Sequence, residues 1–256
     1  MKILILGAGK MGAFFCDVLS DKYKVGVYDV DPKRLKFLFG AYRFTDLEEI
    51  REFAPDLVIN AATVKHTIAA FESILDYLPA QCIISDISSV KNKLPDFYTQ
   101  CGFRFVSTHP MFGPTFASLS DLSKQNAIII AESDPMGAAF FREIYDSLGI
   151  NIFTYTFAEH DETMAYSLSV PFVSTFVFTA IMKKQEAPGT TFKRHMDIAK
   201  GLLGEDDFLL QEILFNPESS EQIEKIRTEL LRIRDIINNR DSTAMKHYLA
   251  ELREKL

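Results

Sequence analysis

Eleven residues near the start of the chain, KILILGAGKMG (2–12), limit its fold more than any other stretch. Ile3 to Leu6 form a short apolar run of the kind found in strands buried on both faces. Glycine ends the run, and Met11, Phe14, Phe15, Val18 and Leu19 then recur at helical spacing. A strand passing through a glycine loop into a helix is the first half of a strand–helix–strand unit. Such units build a parallel sheet with helices on its faces.

The same alternation continues for about 150 residues. Strand-like runs follow at 24–29, 56–62, 82–88, 104–110, 126–133 and 150–156. Helical stretches are expected after Asp31 and Pro32 (an N-cap followed by proline at the first helical position) and at 65–77, 91–98 and 135–147. Beyond residue 156 the strand signal stops, and helices are expected at 160–184, 190–203, 206–215, 219–239 and 241–254. The last long one, SSEQIEKIRTELLRIRDIINNR, places Ile223, Ile226, Leu230, Ile233 and Ile237 at spacings of three and four. The expected fold class is therefore α/β: a doubly wound parallel sheet over residues 1–157, then an all-α domain over 158–256. So many apolar helices in so small a second domain point to an intertwined homodimer.

A net charge of −7 speaks against nucleic acid or an anionic membrane as the partner. Cys16, Cys82 and Cys101 are odd in number and fit no metal or disulfide pattern, so a reduced cytoplasmic setting and no metal are expected. The early lysine and apolar run do not make a signal peptide, because glycines interrupt the run after four residues. No stretch approaches the ~18 apolar residues of a membrane span. The longest candidate, SVPFVSTFVFTAIM (169–182), reads as a buried helix.

GAGKMG is a GxGxxG pattern in the position where that pattern has meaning, between a strand and a helix. Gly7 permits the tight turn, Gly9 lets the backbone approach a pyrophosphate, and Gly12 lets helix and strand pack closely. Ala8, Lys10 and Met11 complete the loop, and the helix N-terminus offers amides to phosphates. Asp29 ends the second strand, where a carboxylate binds ribose hydroxyls and repels a 2′-phosphate. The expected cofactor is NAD rather than NADP; the competing reading makes the glycines turn punctuation and Asp29 a turn cap. Lys33 and Arg34 read as a solvated helix face.

In an open α/β sheet, ligands bind beyond the carboxyl ends of the strands. Three such ends carry polar residues: NAATVKHT (60–67), SDISSVK (85–91) and STHP (107–110). Asn60 and Thr63 fall where a nicotinamide ring would lie. Ser88, Ser89 and Lys91 follow one strand, and His109 ends the next. A hydroxyl and an imidazole on adjacent strand ends can hold and deprotonate a substrate alcohol. The alternative is that Ser88 and Ser89 cap a helix and His109 bonds a backbone carbonyl.

DISSVK followed by STHPMFGP, behind GAGKMG, resembles the prephenate dehydrogenase family of tyrosine biosynthesis, and EHDETMAYSLSVPF (159–172) resembles the start of that family's helical dimerisation domain. The resemblance implies NAD-dependent oxidative decarboxylation of prephenate to 4-hydroxyphenylpyruvate. His109 matches the catalytic histidine, the base for the ring C4 hydroxyl. Ser89 matches the serine that hydrogen-bonds that hydroxyl and the histidine. The family also places a carboxylate-gripping arginine in a later helix. TTFKRHMDIAK offers Lys193, Arg194 and His195, of which Arg194 is preferred because a guanidinium fork matches a carboxylate, with a solvated basic patch as the bland alternative.

Some positions depart from the family. Thr115 stands where some members have an acid, and Ser169 and Phe172 where some have histidines. His160 and Asp161 read as an N-cap and structural pair, and His66 and His247 as surface residues. Three other functions compete with prephenate dehydrogenase: an arogenate dehydrogenase, a β-hydroxyacid dehydrogenase and a non-catalytic NAD sensor. The β-hydroxyacid enzymes carry a lysine in a glycine-rich context on the long helix, which 160–182 lacks. Both halves being assigned, no chorismate mutase domain and no regulatory extension is expected.

Overall fold

The computed structural model describes residues 1–112 and 122–255. Thr115 and the last two residues of STHPMFGP, Gly113 and Pro114, lie outside the described residues. The chain divides into two compact units, Met1–Asp161 and Glu162–Leu256.

The first unit is a single eight-stranded sheet. Its strands are β1 (Lys2–Leu6), β2 (Lys24–Tyr28), β3 (Tyr42–Phe44), β4 (Leu57–Asn60), β5 (Ile83–Asp86), β6 (Arg104–Pro110), β7 (Asn126–Ile130) and β8 (Asn151–Tyr155). They lie in the order β3-β2-β1-β4-β5-β6-β7-β8. The first six are parallel, so their carboxyl ends share one edge, and the order reverses direction between β1 and β4. That reversal is where doubly wound sheets open a ligand crevice.

The expected doubly wound parallel sheet is present, with one antiparallel pairing at its far side. β7 pairs antiparallel to β6, and β8 then runs parallel to β7. Side-chain patterning cannot distinguish the two directions for a strand buried on both faces. β3 is a further strand, three residues long on the sheet's outer edge, too short to show a pattern.

Helices α1 (Lys10–Leu19), α2 (Leu47–Phe53), α3 (Thr67–Glu72), α4 (Leu94–Cys101) and α5 (Pro135–Ser147) pack on the sheet. Ile3, Ile5, Phe15, Val27, Ile59, Phe141 and Tyr145 sit in its core, all at 1% exposure or less. The segment after Asp31 is a 3₁₀ turn, Pro32–Phe37, capped by the Asp31 side chain as its sequence suggests, but not an α-helix. The helix expected from residue 91 begins at Leu94, because Lys91 is drawn into the interior.

The second unit is helical. After α6 (Phe157–Met164) comes a π turn, Ala165–Ser169, then α7 (Val170–Ile181), α8 (Thr190–Leu202), α9 (Asp207–Leu214), α10 (Ser219–Asn238) and α11 (Ser242–Arg253). Pro171 has no N–H to give to the preceding turn, a local reason for the irregular winding before it. Within this unit Ser169 and Ser219 share a buried hydroxyl–hydroxyl hydrogen bond of 2.7 Å.

Two expectations about α7 are overturned. None of its residues is buried, and Val177 and Ile181 are 41% and 73% exposed. The helical run Phe157–Ile181 is 25 residues long and holds an 18-residue window of mean hydropathy 1.6, long and apolar enough by length and composition to cross a membrane. Hydroxyls hid this from a count of apolar residues. In the helix they are spent internally, Ser167 donating to the Thr163 carbonyl, Ser174 to Val170 and Thr179 to Thr175. The apolar stripe of α10 is likewise uncovered, with Ile223, Leu230 and Ile237 at 40%, 52% and 58% exposure.

Candidate active site

The glycine loop has the geometry its spacing suggests. Gly7 sits at φ +93°, a conformation that side chains rarely adopt, and its N–H donates to the Tyr28 carbonyl. A Cβ on Gly12 would stand 1.9 Å from the Gly7 carbonyl oxygen, so only glycine lets α1 start this close to β1. A Cβ on Gly9 would meet nothing within 4 Å. Gly9 is thus open on the side from which a ligand would approach, and no side chain caps α1 there. An uncapped helix start over a bare glycine fits a phosphate group. Ala8, Lys10 and Met11 lie in this loop and first turn.

Asp29 is 6% exposed, and both of its carboxylate oxygens accept backbone N–H groups, from Ala8 at 2.7 Å and Asp31 at 2.8 Å. It ties the glycine loop to the end of β2. Asn60 is also spent locally: its amide donates to the Thr67 carbonyl, and its side-chain oxygen accepts from Ala62. It shapes the loop after β4, while Thr63 in the same loop is exposed. Lys33 and Arg34 are exposed, as expected of a solvated face.

The end of β5 holds a buried charged cluster. Lys91 and Asp86 are both at 0% exposure and form an ion pair. Lys91 also donates to the Thr108 carbonyl at 2.9 Å, and the Tyr98 hydroxyl donates to Asp86 at 2.7 Å. Tyr98 in turn stacks on Phe105 of β6 at 4.1 Å between ring centroids. Burial pushes the lysine's proton affinity down, and Asp86 partly restores it. The cluster rivets β5 to β6, the strand that carries the histidine. Sequence reading treated Lys91 only as a polar strand-end residue. The available signal was Asp86 inside an apolar strand with a lysine five residues on, since a buried carboxylate requires a partner.

Ser88 closes the turn after β5: its N–H donates to Asp86 and its hydroxyl to the Val90 carbonyl. It does not cap α4, whose N-cap position is Lys93. Ser89, half-buried, comes next. In the β5–β6 register Asp86 lies opposite Ser107, so Ser89 and His109 follow at neighbouring strand ends.

His109 is 7% exposed, and among the described residues its ring contact is to another histidine and not to a backbone carbonyl. Its Nδ1 lies 3.1 Å from Nε2 of His160, whose Nδ1 lies 3.0 Å from an Asp161 carboxylate oxygen. Burial pushes His109 well below the usual imidazole range, and His160 and the Lys91 ammonium add to the effect. His109 is therefore neutral at physiological pH, the form in which an imidazole accepts a proton. His160 is not the N-cap of α6. That role falls to Thr156, whose hydroxyl accepts from the Glu159 N–H while Glu159 accepts from the Thr156 N–H.

Lys193, Arg194 and His195 lie on α8 of the second unit, with Lys193 and Arg194 exposed and His195 donating from Nδ1 to the Thr191 carbonyl. His66 and His247 are exposed. Among the described residues no group of His, Cys, Asp or Glu could hold a metal ion.

Residues 23–148 match the sequence profile of the prephenate dehydrogenase nucleotide-binding domain. A probable arogenate/prephenate dehydrogenase of Methanocaldococcus jannaschii is 22% identical over 219 residues, 77% of this chain and 48% of that protein. The chain spans about half the length of the curated relatives it matches. Among solved structures, prephenate dehydrogenase from A. aeolicus, in complex with hydroxyphenyl propionate and NAD+, superposes with a TM-score of 0.84 at 22% identity, over 100% of this chain and 96% of that one. Synechocystis arogenate dehydrogenase superposes with a TM-score of 0.77 at 18% identity, over 100% and 98%. By the profile match, residues 23–148 are a nucleotide-binding domain of the prephenate dehydrogenase family, and the sheet and helices around them share the fold of the solved prephenate dehydrogenases.

Proposed function

We propose that the protein is an NAD-dependent dehydrogenase that oxidatively decarboxylates prephenate to 4-hydroxyphenylpyruvate in tyrosine biosynthesis. One observation carries the reading: a buried His109, 3.1 Å from His160, at the carboxyl end of β6, on the sheet edge that also bears the glycine loop. β1 and β6 are three strand spacings apart, roughly 14 Å, a span that suits a dinucleotide laid along that edge.

Gly7 to Gly12 would hold the pyrophosphate of NAD, and Asp29 the adenosine ribose. Asn60 and Thr63 belong to the loop bordering the nicotinamide position. When bound, the cofactor supplies the hydride acceptor. His109 accepts the proton of the substrate's C4 hydroxyl at Nε2, and Ser89 hydrogen-bonds the same hydroxyl. Aromatisation of the ring then favours loss of its carboxylate, so the protein's work is alignment and deprotonation. Arg194, or its neighbour Lys193, grips a substrate carboxylate. Arogenate is the second reading, because one similar solved structure is an arogenate dehydrogenase and the similar Methanocaldococcus protein is described by both substrates.

The uncovered apolar faces of α7 and α10 support a homodimer formed through the helical unit, and the free Cys16, Cys82 and Cys101 suit a cytoplasmic enzyme. The test is NADH formation with prephenate, arogenate and a β-hydroxyacid in parallel, repeated with NADP. Turnover with prephenate and NAD is expected, and turnover with none of the three would end the enzymatic reading. Arg194→Ala should raise the Michaelis constant for the substrate; if Lys193→Ala does so instead, the grip moves to the lysine.

A further inference from the structure

Hydrogen-bond bookkeeping around His160 determines where its protons sit. A carboxylate only accepts, so the 3.0 Å contact with Asp161 places a hydrogen on His160 Nδ1. In a neutral imidazole the other nitrogen is then an acceptor. The 3.1 Å contact between His160 Nε2 and His109 Nδ1 must therefore be filled by a hydrogen on His109 Nδ1, which leaves the lone pair of His109 on Nε2. His160 is completely buried and Asp161 partly so, which keeps this chain of contacts out of bulk water.

From this geometry we propose that His160, oriented by Asp161, is a positioning residue that fixes His109 in the tautomer able to act as a base and shares the charge when His109 is protonated. The proposal rests on the reading of His109 as the proton acceptor. The proton moves from the substrate hydroxyl to His109 Nε2. The hydrogen on His109 Nδ1 shifts toward His160 Nε2, and the resulting positive charge faces the Asp161 carboxylate.

The other ionisable groups around the pair pull in both directions, with Asp86 and Asp161 raising the proton affinity of His160 against burial and Lys91. Lys91 and Asp86 on the β5 side form a closed ion pair with the Tyr98 hydroxyl from α4. The Lys91 ammonium disfavours a second resting cation on either imidazole, as does burial, while Asp161 favours one on His160. A resting imidazolium on His160 would donate from both nitrogens, reverse the tautomer of His109 and disable it. Lys91 and burial work against that state.

The test begins with the wild-type protein. In 15N-histidine-labelled protein near pH 7.5, with the His109 signals assigned by their loss in His109→Gln, His109 should show a protonated Nδ1 and a bare Nε2. The opposite tautomer overturns the proposal whether or not the protein turns over any substrate. The expected tautomer without turnover on any substrate sinks the functional reading instead and leaves the positioning role standing.

Variants test the mechanism. The amide of Asp161→Asn can donate to His160 and reverse both tautomers. Turnover should then fall by roughly 10²–10⁴-fold, as when an orienting carboxylate is amidated in a catalytic triad, with the Michaelis constant and nucleotide binding little changed. His160→Gln keeps an acceptor for His109 and should lose about tenfold in turnover, with the acid limb of its pH profile moved to lower pH. His160→Leu removes the acceptor and should lose about tenfold more. Equal losses in His160→Gln and His160→Leu, with unmoved pH profiles, would reduce His160 to packing and overturn the proposal. If neither variant folds, the wild-type tautomer decides.

Discussion

His109 and His160 are the residues whose surroundings do most to set the chemistry. Replacing His109 by asparagine removes the proton acceptor but keeps a polar side chain of similar reach. Turnover should fall by about two to four orders of magnitude, the range for a lost general base, while titration with NAD gives near wild-type affinity. Wild-type turnover in that variant would assign the histidine to structure alone. The same burial has a thermodynamic consequence. Both imidazoles are held below their unfolded value of 6.5, so between that pH and their folded values the unfolded chain binds protons that the native chain refuses. Stability is complete above about pH 6.5 and falls as the pH drops through that window. Urea unfolding at pH 7.5 and pH 5.5 should show a lower midpoint at the acid value, and a smaller difference in a His109→Asn protein.

The strand–loop–helix element at the N-terminus allows a discriminating pair of substitutions. Gly12→Ala puts a methyl 1.9 Å from the Gly7 oxygen, whereas Gly9→Ala puts one into open space. Gly12→Ala should lower both the melting temperature and nucleotide affinity. Gly9→Ala should leave the melting temperature unchanged and weaken only nucleotide binding, measured by calorimetry. A Gly9→Ala protein with unimpaired binding would show that no ligand approaches that side. This element was readable from sequence because the left-handed turn at Gly7 and the close approach at Gly12 are local steric demands met within a few residues. So was the cap at Asp31, whose side chain accepts from the amide two residues on. α2 carried a similar signature, a capping box between Asp46 and Glu49, yet its single short turn of apolar spacing is too little to stand out. The buried Lys91–Asp86–Tyr98 cluster and the His109–His160 contact were not readable, because they join strands and helices that only the finished sheet brings together.

For the molecule as a whole, the feature that calls for a partner is the second unit, where long helices leave Val177, Ile181, Leu230 and Ile237 in the open. Sedimentation should give twice the chain mass, and Val177→Asp together with Ile181→Asp should return it to the single-chain value. A monomeric wild type would remove the dimer from the proposal. The division into a sheet-bearing half and a helical half was visible from where strand patterns stop, but the direction of β7 was not. That reversal has a consequence for how the site is assembled. β8 runs against β6, so the chain leaves the sheet at the end remote from His109, where Phe157 stacks near Phe105. Only by doubling back in α6 does it deliver His160 to His109, a contact spanning 51 residues. The base is therefore completed by a contact of long sequence separation that depends on the last two strands being in place. A fragment ending at Tyr155 would keep every strand and the glycine loop, yet would present His109 without the neighbour that orients it.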